Sequence, residues 1–413
     1  MDERARIARL HRRFGFGLQA GELNAAIGRG LDAEIQRLMS TSAAPSPDPF
    51  EGKDIAFEVG ENKNRQRAVI DVWLDRMVAG GSMGERIAWF WHGVLVSGIA
   101  KVKDGESMAT QIKLLWTLGL GSLAELYKAI TVDNAMLYYL DGRDSVKGKP
   151  NENYGRELME LFALGVGNFT EADVKAAATA LTGWASKRYG EPAKLAIPKH
   201  DDSPQTLLGV PGVHDVDTVI AAVMQQPACA LFIAGKLSRA SLGPGLDVGV
   251  ITKLADGFRA SGFNTRALVL ALIDLHRADV DGGPIVLGPT PWLVMAQRAT
   301  GAQLKPDMRL NGLRAAGQVP FDPPNVAGWP GGQAWYSSGT MIGRLNLATV
   351  IASATPPTSP ALAAAKAGDW PTLSRALGLP TDFSAQSITG LAVAKDAFVR
   401  LALALVTPEF VEA

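Results

Sequence analysis

The sequence predicts an all-α protein: a large multi-helix assembly with long Pro/Gly-rich loops and at most a small β-hairpin. Three observations predict it. Apolar residues recur at helical spacing through most of the 413-residue chain. Stretches of alternating β-branched residues are scarce. Proline and glycine, 24 and 44 in all, gather in the connecting segments, where they end helices rather than continue them.

The elements follow in chain order. Ala20–Ser40 carries apolar residues at helical spacing. Arg65–Val78 has a stripe of Val69, Val72, Trp73 and Met77. Ser82–Val96, Met108–Gly119 and Ser122–Ile130 follow the same period. Thr170 reads as an N-cap, because Glu171 and Asp173 place acid in the first turn of the helix that Val174–Leu181 continues. Further helices are expected at 216–226, 228–239, 248–260, 264–275, 290–300, 342–353, 360–366 and 385–405. Leu195–His200 and Thr206–Val210 could pair as a short hairpin. The loops fall at 42–54, 142–152, 185–213, 240–247, 279–291, 317–341 and 354–360. At about 150 residues per domain, two or three domains are the starting expectation. The division is an N-terminal helical half, 1–184, a connection, 185–213, and a C-terminal helical half, 214–413. One continuous domain is the alternative.

Charge narrows the function. Lys+Arg and Asp+Glu both number 41, so no basic excess is available to neutralise the phosphates of a nucleic acid. The single cysteine, Cys229, cannot close an intrachain disulfide, and its apolar helix suits packing better than nucleophilic chemistry. The chain opens Met-Asp-Glu-Arg-Ala-Arg, without the apolar stretch of a signal peptide, and its apolar runs, such as Ala267–Ile273, are too short to span a bilayer. The expected address is cytoplasmic, with no membrane and no nucleic-acid partner. The expected ligand is a polymer or a small molecule.

Three constellations could carry chemistry. In Asn151–Gly165, the run from Glu157 to Leu164 is apolar apart from Glu157 and Glu160, which share a helix face at i and i+3. Carboxylates in apolar surroundings must be paired, protonated or metal-bound. The pair suits general acid/base work, with Arg156 and Glu152 supplying charge. The competing reading is a buried structural Glu–Arg network. Asn151, Glu152 and Asn153, just before it, are candidate substrate contacts. In the second constellation, Glu85, Trp89 and His92 fall on one side of a helix, and His92 is an acid/base, a metal ligand or a core histidine. The third is Pro320–Tyr336, a long stiff loop in which Asn325, Trp329 and Trp335 are candidate ligand contacts. The competing reading is a rigid plug over the core. His200-Asp201-Asp202 could join a metal site, although no second histidine stands at a recognised spacing. Metal and cofactor both stay open. The sequence contains no Gly-x-Ser-x-Gly elbow, phosphate-binding loop or His-Glu-x-x-His pattern.

Together these segments resemble the bacterial family known as domain of unknown function 1800 (DUF1800). The resemblance runs from Arg13–Gly17 through Phe90–His92, Ala135–Asp141, Pro150–Gly165 and Asp173–Trp184. It continues through His200-Asp201, Phe232–Leu237, Pro323–Gly332 and Arg344–Asn346 to Pro408–Phe410. The family has no assigned reaction. Its members are often exported and encoded beside a second uncharacterised protein, which the resemblance implies as a partner. The chain departs from the family pattern at Gln205, where lysine is common, at Ser238, where an aromatic follows Lys-Leu, and in lacking an export signal. Three functions stay open. One is a hydrolase or lyase that acts on a glycan-like substrate with Glu157, Glu160, His92 and Arg156. Another is a metal-dependent enzyme, an oxidoreductase for example, with Glu157, Glu160, His92 and His200 as ligands. The third is a non-catalytic binding or assembly protein.

Overall fold

The computed structural model describes residues 1–40, 48–53, 55, 62–186 and 191–413, with the side chains of 62–66 left aside. Among the described residues the chain is mostly α-helical, with only two small two-stranded sheets. Most of loop 42–54 and part of loop 185–213 lie outside the described residues.

Local chemistry accounts for the helix ends. Thr170 caps Glu171–Ala180 through a reciprocal capping box with Asp173. Asp215 caps Val216–Gln225 in the same way with Thr218. The expected helix over 20–40 divides into Leu23–Arg29 and Leu31–Ser40 at Gly30, whose φ of 83° ends the first helix. The expected helix over 385–405 divides into Ala385–Val393 and Ala397–Ala404, the second capped by Asp396. Glu3–Phe14, Asn134–Tyr139, Pro306–Ala316 and Trp370–Ala376 are helices absent from the sequence reading.

The hairpin differs from its expected pairing. Gln205–Leu207 pairs with Val210–Val213, and Trp184–Ala185 pairs with Lys194–Leu195. The turn is Leu208-Gly209, both at positive φ (53° and 81°), as a two-residue hairpin turn requires. Leucine rarely accepts that backbone. Here Asp173 accepts the Leu208 N–H at 2.6 Å and Gln226 donates to the Leu208 carbonyl at 3.2 Å, so neighbours hold the turn.

Buried apolar residues from Leu10 to Ala413 form one large cluster that includes both helical halves. Buried arginines tie the chain ends together. Arg12 donates to the carbonyls of Phe410 and Glu412, and Arg13 to those of Gly283 and Ala413. No single helix among the described residues is long and apolar enough to cross a membrane.

Candidate functional site

The acidic stretch folds differently from a plain buried helix. Asn153–Glu157 is α-helical, then Leu158–Ala163 widens into a π-turn, with the N–H groups of Leu164 and Gly165 both reaching back to the Met159 carbonyl. A π-turn leaves carbonyls without their regular partners, and such turns often mark functional places. Side chains serve them here. Tyr127 Oη donates to the Phe162 carbonyl at 2.7 Å, Lys236 Nζ to that of Leu161 at 3.2 Å, and Asn168 to that of Leu164 at 2.9 Å.

Glu157 and Glu160 are half-buried, not buried. Neither makes an ion pair or hydrogen bond among the described residues. Partial burial, followed by repulsion from Glu160, holds the Glu157 carboxyl above the ordinary glutamate range. Arg156 turns away from both. It makes two bonds to Glu171, at 2.6 and 2.8 Å, and one to Glu152 at 3.3 Å, at the surface. Among the described residues the competing reading, a buried Glu–Arg network, is therefore not formed: both glutamates are half-open and Arg156 bonds Glu171 and Glu152 instead. Asn151 accepts the Asn153 N–H at 2.9 Å, which starts the helix, and Asn153 is exposed.

His92 is a core histidine. Its Nε2 accepts the backbone N–H of Phe321 at 3.0 Å, and its ring lies among Trp73, Trp89, Phe321 and Trp329 at centroid distances of 4.9–5.7 Å. With no charged partner, burial pushes its pKa down to about 3, so the ring is neutral. Its work is to hold the 320–336 loop. A second bond, Ile99 N–H to the Phe321 carbonyl at 2.7 Å, fixes the same point. His200 lies apart, with Nδ1 on the Thr182 carbonyl. Glu157, Glu160, His92 and His200 thus do not gather as a ligand set, and no group of three such side chains does so among the described residues.

The loop does approach the acidic helix, through an intermediary. Tyr139 and Pro323 both pack against Gly98, where an added Cβ would sit 2.9 Å from the tyrosine ring and 3.6 Å from the proline. The Glu157 charge in turn bears on Tyr139. Asn325 is exposed and folds the loop itself, its Oδ1 accepting the Ala327 N–H at 2.9 Å.

Beyond His92 the loop forms one wall of a cleft of about 400 Å³. Trp329 stacks on Trp89 with centroids 6.0 Å apart and planes 26° apart. Gly328 makes this possible, since its φ is 82° and an added Cβ would meet the Gly93 carbonyl at 3.0 Å. Trp335 is buried at the base and Phe90 completes the aromatic lining. Three basic residues, Arg86, Lys236 and Arg239, line the same space, and among the described residues no carboxylate does. Arg86 Nη1 is buried without a hydrogen-bond partner, and burial brings its guanidinium down to about 10. Lys236 lies 4.6 Å from the centre of the Phe232 ring, and burial lowers its pKa.

Of the residues singled out in the sequence, Trp329 and Trp335 line the cleft, His92 supports it from below, and Glu157 and Glu160 lie outside its lining. The three cations escaped the sequence reading. Lys236 and Arg239 stand three apart on one helix, a spacing that shares a face but is common on solvated surfaces. The segments that carry the family resemblance, Phe90–His92, Phe232–Leu237 and Pro323–Gly332, meet at this cleft. No curated protein and no solved structure matches the chain. The family described as "Protein of unknown function (DUF1800)" matches residues 9–411, nearly the whole length, so the chain belongs to the DUF1800 family.

Proposed function

We propose that this protein binds an anionic ligand carrying a ring that can lie on an aromatic face, in the cleft between Arg86, Lys236, Arg239 and the tryptophan loop. The observation that carries this reading is a lining that joins three basic residues to aromatic walls and, among the described residues, includes no carboxylate. Concave sites with a few convergent polar groups are the usual places for small ligands. Aromatic faces suit rings, and guanidinium groups suit oxyanions. The glycan-like substrate expected from the sequence fits this cleft if its sugars are acidic. Thermal unfolding with acidic oligosaccharides and with their neutral counterparts tests the reading. The acidic compounds should raise the melting temperature and the neutral ones should not. Equal or absent shifts would count against it.

One observation favours a second reading, the hydrolase or lyase. Glu157 is half-buried and unpaired, with its carboxyl shifted towards the protonated form, as a general acid needs. Glu157→Gln should then abolish turnover of a glycan substrate without lowering the melting temperature. Retained turnover would remove Glu157 from the chemistry.

A further inference from the structure

The charge balance of the cleft says more about its ligand, an inference that rests on the binding reading above. The whole chain carries 41 basic and 41 acidic residues, so the surplus of three cations at Arg86, Lys236 and Arg239 is local. Behind the wall, the Glu412 carboxylate accepts from the Tyr336 hydroxyl at 2.6 Å rather than from any of the three. Arg12, whose charge repels that of Arg86, donates through Nη2 to the carbonyls of Phe410 and Glu412 rather than to a carboxylate, and its buried Nε has no partner. Arg344 is fully buried and donates to the carbonyl of Leu287, itself a cleft residue, while its Nε and Nη1 have no partner. Carbonyl dipoles orient these guanidinium groups but remove none of their charge. Lys236 is held in the same way, by the Leu161 carbonyl. A low-dielectric concavity of one sign concentrates field lines on whatever enters it.

We infer that the cleft takes a phosphate-type oxyanion with two or more negative charges, a phosphate ester or diphosphate, attached to a ring that can lie on an aromatic face. A single carboxylate would leave two of the three cations unmatched. A phosphate group offers several oxygens at once to the fork of a guanidinium and to the point charge of an ammonium. The stacked Trp89–Trp329 wall offers a face to the ring. The same chemistry could come from a nucleotide or from a sugar phosphate.

Calorimetric titration of the full chain separates these cases, using a nucleoside diphosphate, a hexose phosphate, inorganic pyrophosphate and a monomeric uronic acid. At least one ring-bearing phosphate should bind about tenfold or more tighter than the uronic acid, as charge-assisted bonds to the extra oxygens imply. The phosphate arm that binds better names the ring. Arg239→Gln, at the exposed side of the cleft, and Lys236→Gln should each weaken that binding by about tenfold. Trp329→Ala should abolish the advantage of the ring compound over pyrophosphate. A uronic acid that binds as tightly as the phosphates overturns this inference and leaves the binding reading standing. Absence of binding by every anion overturns both.

Discussion

Replacing Asp133 by asparagine should remove a loss of stability that this protein suffers as pH rises from about 4 to 7. Asp133 caps Asn134–Tyr139, with Oδ2 accepting the Met136 N–H at 3.1 Å and the Gln111 amide at 2.8 Å. Its Oδ1 is buried with no partner, and no cation bonds to the carboxyl. Burial therefore dominates and raises the pKa from 3.8 to about 7. The sign follows from proton binding. Between about pH 4 and pH 7 the folded chain keeps this proton while the unfolded chain has lost it, so unfolding releases a proton. The contribution is fully present below the unfolded pKa and is lost as pH rises through the folded one. A shift of about three units at roughly 1.4 kcal/mol each gives a loss on the order of 4 kcal/mol across that window. Asparagine is a good N-cap and retains an acceptor for the Met136 N–H, and it has no charge to bury. Urea unfolding of both proteins at several pH values from 4 to 8 isolates the term, because other titrating groups cancel in the difference. Asp133→Asn should gain on the native protein steadily as pH rises and be the more stable above pH 7. Parallel curves, or a variant that is weaker by a constant amount at every pH, would refute the reasoning.

Other outcomes follow from the same geometry. Tyr127→Phe leaves the Phe162 carbonyl of the π-turn without its 2.7 Å donor in the core and should lower stability by roughly 1–3 kcal/mol, read by thermal unfolding. An unchanged midpoint would mean the turn finds another donor. Gly328→Ala forces a side chain onto positive φ and against the Gly93 carbonyl. It should displace Trp329 from Trp89, which shows as a change in tryptophan fluorescence and as loss of anion binding together. Retention of both would remove the glycine from the architecture of the cleft. Burial pushes the Cys229 thiol up to about 12, so it should resist a thiol reagent until the chain unfolds, and fast labelling of the native protein would contradict its burial.

Much of the fold was legible in the sequence, because helices are written in short-range spacing. Val69, Trp73 and Met77 form a buried stripe as their period requires, and Thr170 caps its helix through contacts three residues away. That Trp329 and Trp335 of the 320–336 loop would line one cleft with other parts of the chain was a candidate the sequence offered, and both do line it. Burial of charge could not be read. Glu157 and Glu160 sit in an apolar run, yet a π-turn held by Tyr127 and Lys236, both distant in sequence, leaves them half-open. His92 could be a base or a packing residue on sequence alone. The Phe321 N–H, 229 residues away, made it a neutral anchor. The cleft itself joins Arg86, Lys236, Arg239 and Trp329 from three separate stretches. Spacing along a chain fixes which residues share a helix face, but the sum of charge at a point in space depends on which faces meet, and only the tertiary structure decides that.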